Sequence, residues 1–385
     1  MKTERKTLMQ LFIPISLETL CYMLAGMIDT LMLSSVGDQA VGAIGTANTY
    51  IGMFIIMFSI ISSGMIAVMT QYIGAEKIGV AYQARQIGLA FNAVIGIGMS
   101  ILLFSGSGAI LQLVGVADSL MEYAQTYLKI VGGFCILNAL IPIFSSYLRA
   151  FGYTKQPLAA TICGNIINLV LNAVFLFVFQ FGVAGVAWAT VISRLFNLII
   201  VMVAAHKNVK AKEDNERIKN TEVLKNIVKV GLPSAFETAL YNVAMTLVIR
   251  FLNMMDAEGI NVTARAYAAQ ITNFSYCVGA ALAQANAIMT GWRIGAQEYD
   301  ACDKGTKRAA LIGVLVATVL ESIFALSSGL LMRLFTDNPD MIALVGRLLA
   351  IDIILEIGRV SNIVYGNALK TSGDAIFPTV IAAVF

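Results

Sequence analysis

Residues 39–75 read QAVGAIGTANTYIGMFIIMFSIISSGMIAVMTQYIGA, with no Asp, Glu, Lys or Arg in the run. A helix needs about 20 apolar residues to cross the hydrocarbon layer, and this stretch exceeds that. Charge-free runs recur at 86–117, 130–148, 156–193 and 266–292. The whole chain of 385 residues is 58% hydrophobic and only 13% charged, where a soluble domain carries about 25%. Mean hydropathy is +0.79. A soluble core cannot hide so much apolar surface, so the chain reads as an all-α polytopic membrane protein. A β-barrel would show alternating segments of about 10 residues, and none are present.

Net charge is +3, too small to suggest a nucleic-acid partner. Cys21, Cys135, Cys163, Cys277 and Cys302 form no CxxC and fall mostly inside apolar runs, which argues against a disulfide framework. His206 is the single histidine, so a His/Cys metal site has no raw material. The first apolar stretch lacks a small-residue cleavage site and reads as a retained span.

Apolar runs between polar breaks predict ten spans near 11–34, 42–70, 87–114, 124–148, 158–180, 183–205, 229–253, 265–291, 308–335 and 341–369, with a stub from 375. Lys and Arg set the sidedness. With Lys2, Arg5 and Lys6 in the cytoplasm, the inner loops collect Lys77, Arg85, Arg149, Lys155, the Lys207–Lys229 cluster, Arg293, Lys304 and Lys370. The outer loops hold Asp38, Asp118, Glu122, Asp256, Glu258, Asp337 and Asp340 instead. The segment 206–228 is the one long charged stretch and reads as a cytoplasmic linker between an amino-terminal lobe (1–205) and a carboxy-terminal lobe (229–385).

The two lobes share a pattern. Pro14-x-x-x-Glu18-Thr19-x-x-Tyr22 recurs as Pro233-x-x-x-Glu237-Thr238-x-x-Tyr241, an offset of 219. Met69-Thr70 with Ile73-Gly74-Ala75 recurs as Met289-Thr290 with Ile294-Gly295-Ala296. Leu148-Arg149-x-x-Gly152 with Pro157 recurs as Leu369-Lys370-x-x-Gly373 with Pro378, an offset of 221. This order predicts a tandem duplication of six-span units in parallel orientation. The second unit runs out in its eleventh span, so the chain reads as a fragment of a twelve-span protein.

Polar groups at bilayer depth are costly and face cavities or partners. Asp29 lies in the first span between Met27-Ile28 and Thr30-Leu31. A carboxylate there can bind a proton or a small cation, or can be held structurally by neighbouring hydroxyls. Asn168 and Asn172 share one face of the fifth span, with Asn165 on the same span and Thr190 at comparable depth on the sixth. Carboxylate, amide and hydroxyl oxygens suit a hard cation such as Na⁺. Ordinary interhelical hydrogen bonding explains the amides equally well. Glu18 and Glu237 follow Pro14 and Pro233 by one turn, where a glutamate suits a helix start and a proline permits bending. On the tenth span Asp352, Glu356 and Arg359 have the spacing of an intrahelical ion pair or a charge switch.

Ile28-Asp29-Thr30 with Gly37 resembles the first-span signature of the multidrug and toxic compound extrusion (MATE) family. Leu148-Arg149-Ala150-x-Gly152-x-Thr154-Lys155-x-Pro157 resembles its loop after the fourth span. Asn168-x-x-x-Asn172 with Gly182-x-x-Gly185-x-Ala187-x-Ala189-Thr190 resembles spans five and six, and Gly231-Leu232-Pro233-Ser234 with Glu237 the start of the seventh. The resemblance implies a two-lobed antiporter of a bacterial inner membrane, acting as a monomer without an organic cofactor. It would expel organic, often cationic, compounds by a rocker-switch driven by H⁺ or Na⁺. It places the cation site at Asp29, Asn168, Asn172 and Thr190. Many relatives carry Asp where this chain has Asn172, which shifts weight from Na⁺ towards a proton on Asp29. The alternative is a lipid-linked saccharide flippase, which would need more buried cations than Arg194 and Arg359. An intramembrane enzyme lacks a nucleophile–base pair here, and a passive scaffold leaves Asp29 unexplained.

Overall fold

The computed structural model describes residues 6–113, 116–209, 217–255, 260–333 and 335–384. Lys2, Arg5, Lys210, Lys212, Asp256 and Glu258, used above to assign sidedness, lie outside the described residues. Regular structure among the described residues is helical throughout. The order is α1 (Leu8–Ser34), α2 (Asp38–Gly74), α3 (Ile78–Leu113), α4 (Asp118–Gly133), α5 (Ile136–Ala150), α6 (Lys155–Ala173) and α7 (Gly182–Asn208). It continues with α8 (Asn220–Met255), α9 (Ile260–Gly295), α10 (Tyr299–Leu326), α11 (Ser328–Met332), α12 (Pro339–Ser372) and α13 (Ile376–Val384).

Local chemistry sets these boundaries. At the start of α1, the Thr7 hydroxyl accepts from the Gln10 N–H at 3.4 Å while the Thr7 N–H donates to the Gln10 side chain at 3.0 Å. Such a reciprocal box satisfies two donors that a helix start leaves free. Asn338 caps α12 ahead of Pro339, and Gly373 ends it at φ +103°, a left-handed geometry that glycine adopts without a Cβ penalty.

Seven described helices are long and apolar enough to cross a membrane, or eight if α4 and α5 count as one bent span. Helices α9 and α12, with 36 and 34 residues, extend about 50 Å but carry more polar side chains. Where one straight fourth span was expected, α4 and α5 meet at 46°. Gly132 and Gly133 close α4, and a Cβ on either would meet Leu103 at 2.8 Å or Phe104 at 3.0 Å on α3. The glycine pair lets the chain press against α3, and its low helix propensity places the bend there. The expected fifth span ends in a π-helical turn, Val174–Val178, that starts two residues after Asn172. The ninth breaks at Ser327 between α10 and α11. Helix α8 starts at Asn220, inside the segment read as a linker.

Helices α1–α7 pack mainly on one another, as do α9, α10 and α12. The two sets meet where α2 crosses α8 and α9, with α1 beside α9. One core there joins Leu11, Ile15, Met65 and Met69 to Val223, Ile227, Ile288 and Trp292. Backbones touch at this seam. A Cβ on Gly64 would fall on the Ile227 carbonyl, and one on Gly231 on the Ile60 carbonyl. Gly74 stands in the same relation to Trp292, and Gly295 to Gln71, so the repeated Ile-Gly-Ala motif is a contact motif. The Trp292 indole donates to the Ala150 carbonyl at 2.8 Å, the Gln71 amide to the Thr371 carbonyl, and the Gln83 amide to the Ile218 carbonyl at 2.7 Å. Away from the seam the cores separate. One contains Leu33, Ala43, Phe58 and Leu128; another contains Ala264, Ile271, Met341 and Val345. The second half of α8 leaves Tyr241, Leu247, Phe251 and Met254 exposed.

Candidate functional site

Asp29 sits in the second half of α1, beyond the seam, with one side open to a cavity of about 490 Å³. Helices α6 and α7 bring Asn168, Thr190 and Arg194 to the same space, and Tyr22, Asn48, Tyr127 and Asn165 complete much of its polar wall. The Asn172 amide nitrogen donates to Asp29 Oδ1 at 2.8 Å and to Asn168 Oδ1 at 3.1 Å. Asn172 is fully buried, and its own Oδ1 has no partner among the described residues. Three of the four expected residues therefore form one connected network, made possible by the i, i+4 spacing of the two asparagines. Thr190 lines the cavity, but its hydroxyl donates to the Val186 carbonyl at 2.9 Å within its own helix.

Arg194 is the residue that sequence reasoning left out of this site. It lies one turn after Thr190 on α7, and its guanidinium charge acts on Asp29. Asp29 thus shares its cavity with a base that lies far from it in the chain.

Glu18 is buried and pairs with Arg149 at 2.7 Å; the Thr161 hydroxyl donates to the same oxygen at 3.5 Å. Glu237 pairs with Lys370 at 2.8 Å. Each pair joins the Pro-x-x-x-Glu motif of its half to the Leu-(Arg/Lys)-x-x-Gly motif of the same half. Arg149, Glu237 and Lys370 line a second cavity of about 570 Å³, set between the two groups of helices beside the seam. Pro14 lies inside α1 without breaking it. The carbonyl that its missing N–H leaves free, that of Gln10, accepts from the Thr154 hydroxyl at 3.4 Å. Pro233 lies inside α8, and its carbonyl accepts from Thr379 at 3.1 Å.

On α12, Arg359 reaches Glu356 at 2.7 Å and Asp352 at 3.3 Å. The Glu356 pair follows the expected i, i+3 spacing; the Asp352 contact reaches back seven residues. Sequence reasoning missed the third acid: Glu321 of α10 faces the other two, and oxygens of Glu321, Asp352 and Glu356 lie within 4.8 Å of one another. The signal was available, for Glu321 interrupts the apolar run Val319-Leu320 to Ile323-Phe324 as Asp29 interrupts its own.

The family model MatE matches residues 14–174 and 233–385. The chain is similar to the uncharacterized transporter YisQ of Bacillus subtilis, 34% identical over 96% of this chain and 82% of that protein. It is similar at 24% identity to NorM of Pasteurella multocida, a probable multidrug resistance protein, over 97% of this chain and 82% of the relative. Among solved structures, an outward-facing multidrug resistance MATE family transporter of the MOP superfamily superposes with a TM-score of 0.89. That match has 19% identity and covers 97% of this chain and 84% of the other, a likeness of fold.

Proposed function

This chain belongs to the MatE family of multidrug efflux transporters, and on that premise we propose that it exports small organic, often cationic, compounds in exchange for a proton carried by Asp29. The observation that carries the reading is the Asp29–Asn172–Asn168 network on the wall of the 490 Å³ cavity. A carboxylate that reaches an aqueous cavity from an apolar helix can load and release a cation. The proton is favoured over Na⁺ because Asn172 turns its NH₂ towards Asp29, where a metal would require oxygen. Arg194 in the same cavity adds a charge that repels a metal ion.

With the N-terminus in the cytoplasm of the inner membrane, as the Lys and Arg distribution favours, the seam closes the inner side and the Asp29 cavity faces outward. Proton binding and substrate binding then need only prefer different facings for exchange to follow. Duplication of the lobes is supported by the two equivalent ion pairs, Glu18–Arg149 and Glu237–Lys370. Those pairs also weigh against a saccharide flippase, because the cations beside the seam are already balanced by glutamates.

The test uses the chain in proteoliposomes loaded with a fluorescent organic cation, under an imposed pH gradient or an imposed Na⁺ gradient. The expected result is efflux driven by pH alone. Efflux driven only by Na⁺ would overturn the proton assignment and retain antiport. No efflux under either gradient, with folded protein confirmed, would overturn antiport itself.

A further inference from the structure

The acid cluster of α10 and α12 lies inside a helix contact, not at a surface. The buried face of α10 runs Thr306, Ala310, Gly313, Ala317 and then Glu321, at the three- and four-residue spacing of a packed stripe. The buried face of α12 likewise runs Leu349, Glu356, Val360 and Val364. Glu321 and Glu356 thus occupy positions that their neighbours fill with Ala, Gly and Val. Ser275 of α9 completes the layer, donating to Glu356 at 3.4 Å. On one side lies an apolar layer of Ala283, Ala309, Ala317 and Val360; on the other lies one of Ile271, Met332, Val345 and Leu349.

Charge does not balance in this layer. Three carboxylates face one guanidinium, and Arg359 is already bound to two of them. Glu321 is fully buried, and neither of its oxygens has a hydrogen-bond partner among the described residues. Such an acceptor, left bare, costs its full desolvation. The groups that act on it are Asp352, Glu356 and Arg359 from α12 and the Ser275 hydroxyl from α9. The charges of Glu356 and Arg359 also act on Tyr276 of α9, as does Tyr241 of α8.

We infer that Glu321, Asp352 and Glu356 form a proton-binding site, separate from Asp29, that holds one proton between Glu321 and a facing carboxylate. One O–H bond forms on a carboxylate oxygen, the acid donates to its neighbour, and the net charge of the four side chains rises from −2 to −1. A metal ion fits less well, because the guanidinium lies against the same oxygens. Asp352 and Arg359 are the partly exposed members of the cluster.

The inference does not depend on the antiport reading, since the test reads protonation and not transport. The chain is placed in lipid nanodiscs and titrated by infrared difference spectroscopy, following the carboxylic-acid C=O stretch and its shift in D₂O. The wild type is expected to show a protonated carboxyl near neutral pH. Glu321→Gln should lose that band, Glu321→Asp should retain it at a shifted frequency, and Asp29→Asn should leave it unchanged. The Asp variant keeps the test valid should the Gln variant fold poorly. A band of undiminished amplitude in Glu321→Gln, or one unshifted in Glu321→Asp, would overturn the assignment. So would the absence of a band in the wild type, or its replacement by saturable Na⁺ binding that requires Glu321.

Discussion

Asp29 and Glu321 are both carboxyls set in apolar helices, yet their surroundings differ. Asp29 is half-buried, touches a cavity and accepts from an amide. Glu321 lies between apolar layers with no well-formed hydrogen bond among the described residues, while two other acids face it. An acid built to exchange with water needs access and modest support. An acid held in a dry helix contact stores charge, and any change in that charge is felt directly by the packing of α10 on α12. Position in a span therefore tells that an acid is costly, whereas its neighbours from other helices tell what the cost achieves.

The contrast can be broken at several points. Asp29→Asn should reduce gradient-driven efflux from proteoliposomes to background at unchanged protein level; wild-type efflux would remove Asp29 from the mechanism. Arg359→Met leaves three facing carboxylates without a cation. Losing one partner of a buried pair costs about 3–5 kcal/mol, and the part-exposed arginine places the expected loss near about 3 kcal/mol in thermal unfolding. That loss should shrink as pH falls, because protons then neutralise the acids that the guanidinium served; a loss independent of pH would contradict the cluster.

The two repeated ion pairs sharpen the comparison within one chemistry. The Glu18 side chain is 4% exposed and that of Glu237 is 27% exposed. Glu18→Gln should cost about 3 kcal/mol, as for a buried pair, and Glu237→Gln about 1 kcal/mol, as for an accessible one. Equal losses would mean that burial is not what separates them. Gly231→Ala puts a methyl on the Ile60 carbonyl, and overpacking of this kind costs about 1–3 kcal/mol. Spin labels on α2 and α8 should report the two helices moving apart.

Much of this was legible in advance. Apolar runs placed α1, α2 and α7 within a few residues of their ends but started α3 nine residues late, and the i, i+4 spacing put Asn168 and Asn172 on one face while the family resemblance set them beside Asp29. What stayed hidden involves partners far apart in the chain. Nothing near Asp29 in sequence announces Arg194, and nothing near Glu356 announces Glu321, because helix packing alone brings them together. The bend between α4 and α5 was masked by unbroken hydrophobicity, although Gly132-Gly133 marked its place. The repeated Ile-Gly-Ala motif was visible as a repeat, but its meaning as a backbone contact needed the opposite carbonyl. The Pro-Glu and Leu-Arg motifs were likewise seen as separate matches, and only their closure into ion pairs gives them a common reason.

The seam has one more property. The side-chain hydrogen bonds described across it are made by an indole and two carboxamides donating to main-chain carbonyls, while the ion pairs lie within each group of helices. Neutral hydrogen bonds, worth about 1 kcal/mol each, are not screened by dissolved salt. The closed end of the protein should accordingly hold equally well in dilute and concentrated electrolyte. A cell that swings in osmolarity would change the charges around this transporter without loosening its latch.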